Sequence, residues 1–200
     1  SRHAGTTSVA TLILAGVAIN AIAGAAIGVM VYISDDRQLR DLTFWTMGSL
    51  GGANWTMVAV TLAVVSVAAA ALATLGRALD LFQIGERAAF HSGLNVERTK
   101  RNIALLSAIA VGGATAAAGP IGFIGLVAPH MARLIIGPSH RLVLPASALL
   151  GMGLLLGSDL AVRNIVPPAE PPIGLATSLI GGPFFLWLLL TRMKGRGLVA

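Results

Sequence analysis

The run from Val9 to Ile33 is 25 residues long and carries no charge. A helix needs about 20 apolar residues to cross a bilayer core, so this segment alone takes the chain out of the ordinary soluble classes. Four more apolar stretches follow: Thr56–Leu75, Ile103–Ile136, Leu142–Ile165 and Ile173–Leu190. The second of these is too long for one helix. Gly119-Pro120 divides it, because proline lacks an N–H and clashes with the preceding turn. That gives spans at 103–118 and, shorter, at 122–136, and six helices in all. The runs are continuous rather than alternating, which excludes a β-barrel. In lipid each segment must satisfy its own backbone groups. The expected fold is an all-α, polytopic integral-membrane bundle of six transmembrane helices, forming one domain over residues 1–200.

Composition agrees. Hydrophobic residues make up 56% of the chain and charged residues 11%, against about 25% charged in a soluble domain. Cysteine is absent, which excludes a disulfide framework, a zinc–thiolate site and an iron–sulfur cluster. The 24 glycines let helices approach closely, and Gly24 and Gly28 form a Gly-x-x-x-Gly pair in the first span. The opening Ser1-Arg2-His3 has no initiator Met and no signal-peptide start, so further sequence is expected upstream.

The charges orient the bundle. With six spans, one side holds the N-terminus, residues 77–102, residues 137–141 and the C-terminal tail. Counting Arg133 at its span end, that side carries eleven of the fourteen Lys and Arg against three acids, while the other has three against five. The positive-inside rule places the first side in the cytoplasm. The net charge of +6 is therefore a topology signal, and no nucleic-acid role is expected.

Two connections exceed what a turn needs. Residues 34–55 lie outside, and Leu39–Met47 has helix-like apolar spacing, as in a short helix lying in the membrane interface. Residues 77–102 lie inside. Their stretch Asp80–Gly93 is amphipathic, with Gly93 as a helix stop. This loop is either a docking surface or a connector that supplies positive charge for insertion.

Few residues suggest chemistry. Asp159 and Arg163 are four apart and can pair on one helix face. Ionisable groups in spans usually line a path or cavity, but Arg163 close to a span end can also snorkel to water. His130 is a conceivable ligand, although a lone His near a helix end more often bonds a carbonyl. No His spacing supports a metal site. The Gly-x-x-x-x-Gly-Lys-Ser/Thr phosphate loop and the Gly-x-Ser-x-Gly elbow are both missing. The chain itself is thus expected to bind no ATP and no other cofactor, and to be no enzyme.

From residue 119 onward the sequence becomes specific. Gly119-Pro120-Ile121-Gly122-Phe123-Ile124-Gly125-Leu126-Val127-Ala128-Pro129-His130-Met131-Ala132-Arg133 continues into Gly137-Pro138-Ser139-His140-Arg141. Asp159–Arg163, Pro168–Gly174 and Gly181-Gly182-Pro183-Phe184-Phe185 follow in order. With Leu12–Ala18 and Trp45–Gly51, these resemble the C-terminal portion of a FecCD-family permease, the type II ABC importers for ferric siderophores, haem and cobalamin. The resemblance covers essentially all 200 residues. Such permeases have about ten spans of about 20 residues each and pair as homodimers around a central path, so the six here would be the last six.

The resemblance implies a multi-pass protein of the bacterial inner membrane, surrounded by lipid. Its expected partners are a separate ABC ATPase, which holds ATP and Mg, and a periplasmic substrate-binding protein. It assigns ATPase coupling to Ile84, Gly85, Glu86, Arg87, Ala88, Ala89 and Gly93. Glu86 and Arg87 would set register at the rim, and the small Gly85, Ala88 and Ala89 would allow a close fit. Binding-protein docking falls to Arg163, and the cytoplasmic gate to Ser8, Val9, Ala10 and Thr11. Residues 34–47 would flank the path. Gly119, Pro120, Gly122, Gly125 and Pro129 should make a short, bent, closely packed span. An iron chelate, haem or a ferric siderophore, is the expected cargo, with cobalamin as the alternative. Two other classes compete: an intramembrane enzyme using Asp159 or His130, which needs both at one mid-membrane cavity, and a proton-coupled secondary transporter, which needs no ATPase.

Overall fold

The computed structural model describes residues 9–165 and 172–196, and all regular structure among them is helical. In chain order the helices are α1 (Val9–Ile33), α2 (Asp36–Thr46), α3 (Trp55–Thr74), α4 (Gly76–Ile84) and α5 (Glu86–His91). They continue with α6 (Val96–Ala118), α7 (Ile124–Ile136), α8 (His140–Ile165) and α9 (Ile173–Arg196). By length and apolarity α1, α3, α6 and α8 can each cross a membrane, whereas Ile124–Ile136 and Ile173–Leu186 are shorter apolar stretches. At 1.5 Å per residue α7 is about 20 Å long, against a hydrocarbon core of about 30 Å. Of the six spans expected, four therefore meet the criterion in full.

Local chemistry sets the helix starts. Asp35 caps α2 in a reciprocal box: its carboxylate accepts the Gln38 N–H at 2.8 Å, and the Gln38 side chain accepts the Asp35 N–H at 3.3 Å. Asn54 caps α3 by accepting from the Met57 N–H at 2.8 Å. Asn95 caps α6 by accepting from the Arg98 N–H at 3.0 Å. That cap moves the start of α6 to Val96, seven residues before the expected 103. Glu97, Arg98, Lys100 and Arg101 occupy its first turns, so hydropathy marked where the apolar surface begins rather than where the helix begins. The stretch expected as one amphipathic unit from Asp80 to Gly93 is two helices. Gly85, at φ 117° and ψ 153°, breaks it in a conformation that L side chains rarely adopt.

The spans assemble as pairs. The loop before α3 meets the end of α6, where the Ser49 N–H donates to the Ala118 carbonyl at 2.8 Å, so these two helices run antiparallel. Further along, a Cβ on Gly113 would touch Val64 and Val65. Helices α7 and α8 form the second pair, with Ala128, Ala132 and Val143 buried. Gly151 lies against Ile124 and Ala128 across that seam. The buried side chains are mostly small, as expected where helix association depends on close backbone approach rather than on expulsion of water. Helix α1 differs: none of its Ile13–Ile33 window is buried, and Gly24 and Gly28 have no neighbour within 4 Å of a hypothetical Cβ.

Candidate functional site

The residues singled out in sequence gather at two ends of the bundle. At the basic end, α4 and α5 sit across the foot of the helices. One face of α4, carrying Gly76, Asp80 and Gln83, lies against the turn into α8. A Cβ on Gly76 would come within 3.1 Å of Arg141 Cγ. Asp80 Oδ1 accepts the His140 backbone N–H at 2.7 Å, and Oδ2 accepts the Ser139 hydroxyl at 3.3 Å. Gln83 Nε2 donates to the Pro138 carbonyl at 3.0 Å. His140 Nδ1 lies 2.9 Å from Asp80 Oδ1 and 2.7 Å from Gln83 Nε2. Protonated, that nitrogen donates to Asp80; unprotonated, it accepts from Gln83. The His140 backbone N–H, opposed by partial desolvation and aided by the ring's hydrogen bond and charge and by Ser139, holds the Asp80 carboxyl below its ordinary pKa.

Helix α5 is fastened separately. Lys100 of α6, only 12% exposed, reaches Glu86 at 2.7 Å. The chain then turns back through Gly93 at φ 85°, with the Leu94 N–H donating to the Ala89 carbonyl at 3.2 Å. Ala89 is 0% exposed. It was expected to meet a partner, yet its methyl is enclosed by this chain's own turn, so it supports the loop. Ile84 at 74% and Phe90 at 67% exposure are the large apolar groups that face outward, alongside exposed Arg87 and Ala88. A cleft of about 500 Å³ lies between α5 and α6, lined by Glu86, Phe90, Leu94, Asn95 and Lys100 among others.

At the opposite end three glycines from three elements converge. Gly48 follows α2, Gly119 ends α6 and Gly174 begins α9. A Cβ on Gly119 would overlap the Trp45 carbonyl, one on Gly174 the Met47 carbonyl, and one on Gly48 would lie 2.8 Å from the Pro120 carbonyl. The Gly174 N–H also donates to the Gly48 carbonyl at 3.3 Å. This corrects the reading of the 119–129 segment. Close approach belongs to Gly119, whereas a Cβ on Gly122 would have only Ser178 nearby, at 3.6 Å, and one on Gly125 nothing within 4 Å. Pro129 lies inside α7. Phe123 adopts φ 65° ahead of α7, and its ring presses on Gly181 of α9.

Arg163 stands in the last turn of α8, 41% exposed, with Nε 2.9 Å from Asp159 Oδ2. His130 is half-buried on α7, away from that pair. Val9, Ala10 and Thr11 open α1, and Ser8 lies outside the described residues. Among the described residues no three His, Asp or Glu converge as metal ligands would.

The FecCD transport family model matches residues 1–191. This chain belongs to the FecCD transport family. The FecCD chain is 49% identical over 189 residues to the hemin transport system permease protein HmuU of Yersinia pestis, covering 94% of this chain and 57% of that one. It is 41% identical over 188 residues to the cobalamin import system permease protein BtuC of Halobacterium salinarum, covering 94% and 50%. A solved structure described as an inward-facing conformation of a metal-chelate type ABC transporter superposes with a TM-score of 0.86 at 31% identity. That match covers 92% of this chain and 60% of the other. The FecCD chain thus spans a little over half the length of the relatives it matches.

One part of the site was not anticipated. In sequence Asp80 reads as a charge that opens the amphipathic stretch, and Ser139-His140 as part of a motif. Ser139 ahead of an apolar run is a helix-start signal. The contact from Asp80 to His140, across 60 residues, has no local signature.

Proposed function

We propose that this chain is part of the permease subunit of an ABC importer in the bacterial inner membrane, moving an iron chelate, haem or a ferric siderophore, into the cytoplasm. In this reading the basic end faces the cytoplasm. A separate ATPase binds ATP and Mg and docks on α4–α5, and the permease pairs with a second copy. A periplasmic binding protein meets the end that carries Arg163, and the chain itself performs no chemistry. The observation that carries the reading is the α4–α5 unit: it is held rigidly to α6 and α8 yet leaves Ile84 and Phe90 uncovered. Exposed apolar groups on an ordered protrusion fit a protein partner, and Ile84 to Ala89 with Gly93 are the residues expected to meet the ATPase. The higher identity to a hemin permease than to a cobalamin permease favours the iron chelate.

Cobalamin remains the second cargo, supported by the 41% identity to BtuC. The test is uptake by the full-length permease in liposomes with its ATPase and binding protein, offered haem, ferric siderophores and cobalamin. ATP-dependent accumulation of haem or a siderophore is expected. Accumulation of cobalamin alone would transfer the cargo assignment, and uptake driven by a proton gradient without the ATPase would overturn the importer reading.

A further inference from the structure

We propose that Asp80 is a positioning residue of the transport cycle: it fastens α4 to the first turn of α8, so that displacement of the α4–α5 loop is delivered to the α7–α8 pair. The proposal rests on the importer reading above. Its basis is the arrangement of three residues at i, i+4 and i+7, which share one helix face. Gly76 removes a side chain so that the backbone can approach Arg141. Asp80 accepts from the His140 N–H and the Ser139 hydroxyl. Gln83 donates to the Pro138 carbonyl. Together they grip four consecutive residues, Pro138 and Ser139 before α8 and His140 and Arg141 in its first turn.

The carboxylate sits where α8 presents N–H groups that lack intrahelical acceptors, and negative charge is favoured there by the helix dipole. One carboxylate with two donors on the same turn fixes both separation and rotation, which apolar contact does not. The three routes out of the loop then differ in kind. Helix α3 is joined to α4 through Leu75. Helix α6 is joined to α5 by the Lys100–Glu86 pair. Helix α8 is joined by the Asp80 set, and α7 follows it through Ala128, Ala132 and Val143, all of them buried. Asp80 contacts the start of α8 while Ile84, Arg87 and Phe90 are exposed, so docking and transmission fall on different side chains.

The test uses full-length permease reconstituted with its ATPase and binding protein. Asp80→Ala should keep the ATPase bound and hydrolysing within about twofold of wild type, while uptake per ATP falls about tenfold, the scale of losing one helix cap. A rescue distinguishes transmission from general destabilisation. This chain has no cysteine, and a Cβ on Gly76 lies 3.1 Å from Arg141 Cγ, the place a cysteine sulfur at 141 would take, close to the roughly 3 Å that separates Cβ from the far sulfur of a disulfide. Oxidising the Gly76→Cys, Arg141→Cys pair in the Asp80→Ala background should restore uptake per ATP, and reduction should abolish it again. Failure of the disulfide to form, a closed disulfide without rescue, or an unchanged ratio of uptake to hydrolysis in Asp80→Ala each overturns the link. The wild type separates this proposal from the importer reading. Absence of ATP-driven uptake there sinks the importer reading. On the same sample, loss of exchange protection at the His140 N–H in Asp80→Ala supports the link, and its retention overturns it.

Discussion

Helix α1 and the α4–α8 contact are held in place by opposite means. Helix α1 runs 25 residues and buries none of its Ile13–Ile33 window. Lipid suffices to keep it helical, because every interior N–H already bonds within the segment. Helix α4 has nine residues, too few to hold itself as a helix in water. It is ordered because Asp80 and Gln83 bond a turn 55 to 60 residues away. Apolar length thus secures a span, and directional contacts secure a position. The same division separates the glycine junction, where three backbones meet, from the open faces of Gly24 and Gly28.

The comparison breaks most severely at the junction. Gly119→Val places a Cβ on the Trp45 carbonyl at a residue with φ 71°, so strain and overlap together cost about 3 kcal/mol or more. Thermal unfolding in detergent should show it, and Gly125→Leu serves as the control, with a loss below about 1 kcal/mol because a Cβ there meets nothing within 4 Å. Ala89→Arg comes next. It forces a long charged side chain into a site with 0% exposure, so proteolysis of the 77–102 loop should accelerate with a cost of about 2–4 kcal/mol. Ala88→Arg, at an exposed neighbour, should leave the loop protease-resistant and impair only ATPase capture. Equal proteolysis in the two variants would show that α5 is not packed as described.

Arg163→Glu should weaken binding-protein association by about 1 kcal/mol, more at low ionic strength than at high. Equal affinity at low salt would leave Arg163 as a membrane-edge anchor paired with Asp159. The Asp80 contact should also respond to acid. Its folded pKa lies below the ordinary 3.8, so the stability it contributes is complete well above pH 4 and is lost as pH falls through the folded value. The difference in His140 N–H protection between wild type and Asp80→Asn should therefore be present near neutrality and vanish in that acidic window. A difference that persists below it would mean the carboxylate charge is not what holds the turn. The smallest effect on this chain's own fold belongs to α1. Gly24→Leu meets open space and should stabilise the helix by about 0.5–1 kcal/mol through backbone propensity alone, while lowering the yield of any dimer that uses this face.

The spans were legible because lipid permits only continuous apolar helices, and the apolar run expected to end at Ile33 ends there as α1. Helix starts set by polar caps were less so: Asn95 carries α6 back through charged turns that hydropathy treats as loop. The segment 84–93 stands out in sequence through its resemblance, but not that Gly85 would split it or that Ala89 would face inward. An alanine on a short amphipathic stretch looks the same in sequence whether it packs inside or outside. Gly119 stood out beside Pro120, yet its contact, the Trp45 carbonyl, lies 74 residues earlier, and only the folded chain distinguishes it from Gly122 and Gly125.

The glycine junction has a consequence for how such a chain can vary. Every missense change at Gly48, Gly119 or Gly174 adds at least a Cβ, and each of those Cβ atoms meets a carbonyl of another segment. No one-step replacement is neutral there, and a compensating change would have to move backbone, which no second side chain can do. On α1 the described residues leave open space around Gly24 and Gly28, so within this chain a larger apolar side chain is accommodated there without moving backbone. Substitution should therefore be tolerated at Gly24 and Gly28 well before it is tolerated at the three junction glycines, where the backbone itself is the obstacle.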